Sequence, residues 1–355
     1  MWPTLRLVGR ATHREQLKMA AVSAGQPKIL LVSLGGTITM TSGAGPGIVP
    51  TLTGADLVRA VPALAEVAEI EAVSPFRLPG PSLTFAHLRE VARLLNERLA
   101  GDIAGAIVVQ GTDTIEETAF VLDCLVGGDK PVIVTGAMRG AEAPGADGPA
   151  NLLASAIVAT SLAARGLGTL VVLNETIHAA RFVQKASTFL PSTFASLSGG
   201  PLGSVIEGAA RINLRVTRSA VIASGDTGTD QPVALITAAL GDDGRMLAGL
   251  PALGYRGLVI EAMGVGHVPA AIVDALASLT EIFPVVLSSR VASGPVFAKT
   301  YGFPGSETDL LGRGLIPSGT LGGLKARLLL ALLLGAGLQG QLLRDAFLRM
   351  ALPSA

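Results

Sequence analysis

Short, wholly apolar runs broken by glycine recur along this chain. Ile29-Leu30-Leu31-Val32-Ser33 ends at Leu34-Gly35-Gly36-Thr37-Ile38, and Ala106-Ile107-Val108-Val109 ends at Gln110-Gly111-Thr112-Asp113-Thr114. Apolar runs of this length without alternation read as parallel strands buried on both faces. Between them the period changes to 3.6 residues, and Leu88, Val91, Leu94 and Leu95 mark a helix over 84–99. The same reading gives a helix opening at 53–56, a strand over 104–109 and a helix over 116–126. A strand over 130–136, a helix over 151–164 and a strand over 168–174 follow. After a polar, turn-rich stretch at 211–230 a second series begins, with strands over 233–237, 257–262 and 284–288. Its helices are expected over 244–253, 269–281 and 322–334, and near Gln341. Alternating βα units predict parallel sheets. The expected fold is α/β: two parallel-sheet α/β domains, a larger N-terminal one over 26–215 and a smaller C-terminal one over 232–355. A linker over 216–231 joins them, and residues 1–25 are expected to form a poorly ordered extension.

Length and composition agree with this layout. The 355 residues suit roughly two domains of 100–200 residues. Hydrophobic residues make up 49% and charged residues 15%, ample for two buried cores. Lysine plus arginine equals aspartate plus glutamate, 27 against 27, so the totals show no basic face for nucleic acid. Cys124 is the one cysteine, which fits a reducing compartment. Four scattered histidines offer no metal-ligand spacing, so neither a metal nor another cofactor is expected. No apolar segment near the N-terminus precedes a small-residue cleavage site, and Leu328 to Leu334 is far shorter than the roughly 20 residues of a membrane span. The protein therefore reads as cytoplasmic, without a membrane or nucleic-acid partner. Met19 is an alternative start.

In parallel sheets, ligands bind in the crevice beyond the carboxyl ends of the strands. The turn at Gly36 and Thr37 brings bare backbone and a hydroxyl to that edge, although a lone Gly-Gly-Thr also suits a plain tight turn. Gly111-Thr112-Asp113-Thr114 is richer than a helix cap requires, because one Thr or Asp would suffice. An aspartate there can hold an ammonium group, and Thr112 can reach a reacting carbonyl or a water. Lysines are solvated by default, but Lys185 beside Asp113 would be placed to take a proton from a threonine. His178 reads as a structural hydrogen-bonder, and Asp147 and Asn151 as backbone-bonding turn residues.

Several segments together resemble the bacterial L-asparaginase family, including its glutaminase-asparaginase branch. They are Gly35-Gly36-Thr37-Ile38, Gly111-Thr112-Asp113-Thr114 with Glu116-Glu117, and Pro131 to Arg139. Ala146 to Asn151, Val172 to Arg181, Gly200 to Gly203, Ser288 to Val291, Ser318 to Leu321 and Lys325-Ala326-Arg327 follow in order. The resemblance runs from about Lys28 to the C-terminus. It implies that the larger domain carries catalysis and that asparagine is hydrolysed to aspartate and ammonia through an acyl-enzyme. By that resemblance Thr37 is the nucleophile of the first loop. Thr112, Asp113 and Lys185 form a second constellation that acts as nucleophile or activates water. Gly36, Gly80, Ser82, Gly111, Thr112 and Asp113 would bind substrate. Glycine-turn N–H groups would hold the oxyanion, typically worth about 3–4 kcal/mol per donor. A homodimer or homotetramer with sites near the subunit interface is implied as well.

Three places depart from the family pattern. A loop tyrosine is replaced near Ile48, and the serine that holds the substrate carboxylate aligns with Gly80, with Ser82 close by as a substitute. The acid lent by a neighbouring subunit falls near Tyr301, where Glu307 is the nearest replacement. Alternative readings are a glutaminase-asparaginase or another amidase of the same fold, a transamidation subunit feeding ammonia to a misacylated tRNA, and a catalytically weak amino-acid-binding relative. A transamidation subunit is expected to carry a sizeable extra N-terminal domain, for which 25 residues are too few.

Overall fold

A computed structural model describes residues 25–42, 48–50, 52–222 and 230–352. The first part of the chain forms strands β1 (Lys28–Ser33), β2 (Met40–Ser42), β3 (Ile48–Pro50), β4 (Glu69–Val73), β5 (Gly105–Val109) and β6 (Val132–Thr135). There follow β7 (Thr169–Leu173), β8 (Thr176–Ala179), β9 (Gln184–Lys185), β10 (Phe194–Ala195), β11 (Gly203–Ile206) and β12 (Ala209–Ile212). Eight of these make one sheet in the order β12-β11-β8-β7-β6-β5-β1-β4. The second part contributes β13 (Val233–Thr237), β14 (Gly257–Ala262), β15 (Val285–Ser289) and β16 (Ile316–Pro317), a smaller sheet in chain order. The helices are α1 (Gly54–Ala60), α2 (Phe85–Leu99), α3 (Ile115–Leu125), α4 (Gly148–Thr160), α5 (Val273–Thr280), α6 (Glu307–Gly312), α7 (Gly323–Gly335) and α8 (Gly340–Ala351).

The expected parallel sheets are present, with one addition. All four C-terminal strands pair in parallel, as do β4, β1, β5, β6 and β7. Beyond β7 the larger sheet continues antiparallel through β8, β11 and β12. Asn174 and Glu175 make the turn into β8 with φ of 48° and 59°, the doubly left-handed backbone of a tight hairpin. The helix expected over 244–253 is instead a three-residue 3-10 turn at Leu247–Gly249. Gly244 takes φ +70° before it, and Pro251 beyond it has no N–H to extend a helix. The expected extension lies, apart from Gly25, outside the described residues, as do residues 223–229 of the expected linker. Of that linker, Arg218 reaches back to pair with Asp123 at 3.3 Å, and Ile222 N–H donates to Cys124 O.

Burial on both faces explains why the strand runs are continuously apolar. Leu30, Val32, Ala106, Val108, Val132, Val134, Val171 and Leu173 face one core. Their neighbours Ile29, Leu31, Ile107, Val109, Ile133, Leu170 and Val172 face a second, against α1 and α4. The first core also receives Val233, Val259 and Val286 of the smaller sheet and the apolar faces of α7 and α8. Helix α3 packs against α7 inside it, so one apolar layer serves both sheets.

Candidate active site

The carboxyl ends of β1 and β5 lie side by side, and two glycines let their loops touch. Leu34 N–H donates to Val109 O at 2.8 Å, continuing the strand pairing one residue past β1. Gly36 then takes φ +91°, and a Cβ there would lie 2.0 Å from Gly111 N. Only a glycine permits this approach. A third loop joins them, because a Cβ on Gly80 would lie 3.1 Å from Gly111 O, and Thr114 Oγ1 donates to Gly80 O at 3.2 Å. Gly36, Gly80 and Gly111 therefore meet. Ser82 is exposed on the same short turn as Gly80. Thr37 begins the 3-10 turn Thr37–Thr39, but its side chain lies outside the described part of the structure, as does that of Ile48.

Thr112 follows Gly111 directly, is buried, and opens the 3-10 turn that leads into α3. Lys185 arrives from the short hairpin of β9 and β10. Its Nζ donates to Thr112 Oγ1 at 3.0 Å and to Asp113 Oδ1 at 2.6 Å. The Lys185 side chain is 17% exposed and that of Asp113 63% exposed, so the amine is enclosed while the carboxylate is open to solvent. Three of the four expected catalytic side chains thus stand in hydrogen-bond contact. The Lys185 backbone is fixed separately, its N–H donating to Glu116 Oε1 at 3.2 Å.

Around this cluster the polar residues stitch loops together. Asp147 accepts from the N–H groups of Met138 and Arg139, and Asn151 bridges Gly136 O and Asn174 N–H across the loops that follow β6 and β7. His178 is buried, and its Nδ1 contacts Ser196 Oγ at 2.9 Å beside β10. Burial pushes its imidazole down to about 4, with the Lys325 ammonium adding to the effect. Between pH 6.5 and 4 the unfolded chain therefore holds a proton that the native chain lacks, and stability is lost as pH falls through that window. The contribution is at most about 1.4 kcal/mol per pH unit. His178→Gln is expected to flatten the acid limb of unfolding free energy against pH, measured by urea titration, and an unchanged limb refutes the assignment.

Glu307 does not supply the open acid expected near Tyr301. Its side chain is fully buried, with Oε1 accepting from the N–H groups of Thr300 and Tyr301 at 2.8 Å each. Oε2 meets His267 Nε2 at 3.3 Å. The carboxylate is committed to shaping its own loop, and it is Tyr301 and Phe303, packed edge-on against His267, that are exposed.

Comparison with known proteins agrees with this architecture. A family model described as "Asparaginase, N-terminal" matches residues 28–218, and one described as "Glutaminase/Asparaginase C-terminal domain" matches residues 232–347. The two sheets are accordingly those of a two-domain amide hydrolase. A "Probable L-asparaginase" of Deinococcus radiodurans is 36% identical over 334 residues, 91% of this chain and 98% of that protein. An "L-asparaginase" of Bacillus licheniformis is 30% identical over 90% of this chain and 98% of its own length. The crystal structure of a "Probable Cytoplasmic L-asparaginase" from Campylobacter jejuni superposes with a TM-score of 0.83 at 28% identity, covering 91% of this chain and 99% of that one. The chain belongs to the asparaginase family.

Proposed function

We propose that the protein is an L-asparagine amidohydrolase releasing L-aspartate and ammonia. The single observation that carries the reading is the contact of Lys185 Nζ with both Thr112 Oγ1 and Asp113 Oδ1 at the carboxyl ends of the parallel strands. A hydroxyl is a weak nucleophile until a neighbouring base accepts its proton, and a third group must hold that base in place. Along the 3.0 Å contact Thr112 passes a proton to the free-amine form of Lys185 as a water beside the threonine attacks an acyl carbon, the water's own proton replacing the one that Thr112 gives up. The same proton is then returned to the oxygen that departs from that carbon. Asp113 spends Oδ1 on the lysine, and its exposed remainder suits the substrate's α-ammonium.

In this scheme Thr37, on the loop that Gly36 presses against Gly111, attacks the side-chain amide. The Thr37 hydroxyl proton goes to the departing nitrogen, ammonia leaves, and an aspartyl ester remains on Thr37. Water that loses its proton through Thr112 to Lys185 cleaves the ester, and the Thr37 oxygen takes that proton back. The oxyanion is assigned to N–H groups of the turns at Gly36 and Gly111, and the α-carboxylate to Gly80 and Ser82, a reading supported by the convergence of these turns. Assembly as a homodimer or homotetramer follows from the family resemblance, with the exposed Tyr301 and Phe303 offering an apolar contact between copies. A cytoplasmic setting accords with the name of the Campylobacter relative.

The test is ammonia release by the purified protein from L-asparagine, L-glutamine and D-asparagine. L-Asparagine is expected to be hydrolysed fastest, and release from none of the three overturns the proposal. One methylene in a pocket changes discrimination by only about 1–3 kcal/mol, so some glutamine turnover remains compatible with it.

A further inference from the structure

The turn that delivers Lys185 is gripped from the other domain. Lys325, in the first turn of α7, is 4% exposed, and its ammonium donates to the carbonyl oxygens of Arg181, at 3.2 Å, and of Val183. Val183 stands immediately before β9, which ends at Lys185. Among the described residues no carboxylate forms an ion pair with this ammonium. Burying a charge in this way is expensive unless it is paired, and a methionine would fill the space without that cost. Burial indeed pushes the Lys325 ammonium down to about 8. Packing alone therefore does not account for a lysine here.

Neighbouring contacts converge on the same hairpin from the smaller domain. Gln184 Nε2 donates to Ala292 O at 3.2 Å, and Ser293 Oγ donates to Leu197 O at 3.3 Å. Arg181 donates to Ala351 O at 3.0 Å at the end of α8. We infer that Lys325 is a positioning residue for amide hydrolysis, fixing the Arg181–Val183 turn so that Lys185 Nζ stays within reach of Thr112 Oγ1 and Asp113 Oδ1. The inference rests on the role given to Lys185 above. Lys325 thereby acts on the site from the smaller domain without itself entering the chemistry.

The experiment compares the full-length parent with Lys325→Met and Lys325→Gln. It measures kcat and KM for L-asparagine, and the rate at which acetic anhydride labels Lys185 in the native protein, read by mass spectrometry. Lys130, whose ammonium bonds the carbonyls of Leu99 and Gly101, is the internal control. Misplacing a reacting group by about 1 Å can cost about a hundredfold, so Lys325→Met is expected to lower kcat about ten- to a hundredfold. KM is expected to hold within about threefold, because binding groups are untouched. Lys185 should label faster and Lys130 unchanged. Lys325→Gln, which still offers an N–H to a carbonyl, is expected to fall between the two, and it carries the test alone should the methionine variant not fold. A kcat within about twofold of the parent, or faster labelling of both lysines together, overturns the inference. If the parent itself releases no ammonia the proposed function falls. The labelling of Lys185 relative to Lys130 then decides the clamp by itself, an unchanged ratio overturning it.

Discussion

Lys185→Met is expected to lower kcat for L-asparagine by about a thousandfold or more while the protein stays folded. Groups that act as one catalytic unit lose most of their effect when any member is removed, and a thousandfold corresponds to about 4 kcal/mol of barrier. Methionine keeps an unbranched apolar stem but removes the amine that contacts Thr112 and Asp113. Stability should change little. The partner carboxylate is 63% exposed, and exposed ion pairs contribute only about 0–1 kcal/mol. Lys185→Arg is not expected to restore the rate, because a guanidinium does not give up its proton near neutral pH. Initial rates of ammonia release, with circular dichroism as the check on folding, measure this. Activity within about tenfold of the parent refutes the assigned role.

Gly36→Ala carries the second large effect, and it falls on stability and activity together. The added methyl would stand 2.0 Å from Gly111 N and 2.4 Å from Gln110 C and Gly111 Cα, all backbone atoms of the facing loop. No rotamer relieves a clash between Cβ and main chain, so the two loops must separate. The left-handed backbone at φ +91° adds about 1–2 kcal/mol for any residue with a Cβ, and overpacking adds about 1–3 kcal/mol. A loss of about 2–5 kcal/mol of unfolding free energy is expected in urea, with the residual folded enzyme also slowed, because Thr112 sits next to the displaced Gly111. Gly249→Ala is the control. Nothing lies within 4 Å of its Cβ position, and its φ is not positive. If Gly36→Ala costs no more than that control, the loops do not press together as described.

What the sequence made legible follows from where side-chain patterning is strong. β1, β5, β6 and β7 each bury both faces, so their apolar runs mark them within a residue or two. β9 and β10 have two residues each and no room for a pattern, so the hairpin that carries Lys185 shows only in the fold. The β7–β8 turn was obscured because Glu175, unlike Asn174, is no signal for a left-handed backbone. Glu307 misled through proximity, since closeness to Tyr301 in sequence says nothing about a carboxylate turning inward to meet two N–H groups. Lys325 left a trace that was open to reading. It stands next to the run Leu328 to Leu334, and a helix that is apolar on all sides is buried all round, so a lysine in its first turn has little access to solvent.

The apolar layer shared by the two sheets has a further consequence. Because α3 of the larger domain and α7 of the smaller one bury the same surface, neither half can come away without uncovering a greasy slab. Cutting the chain between its two family segments would yield fragments that stick to one another or to themselves, not two independent folding units. The loops that carry Thr112 and Lys185 are thereby tied to a helix of the other domain, and the two domains are expected to melt in one transition.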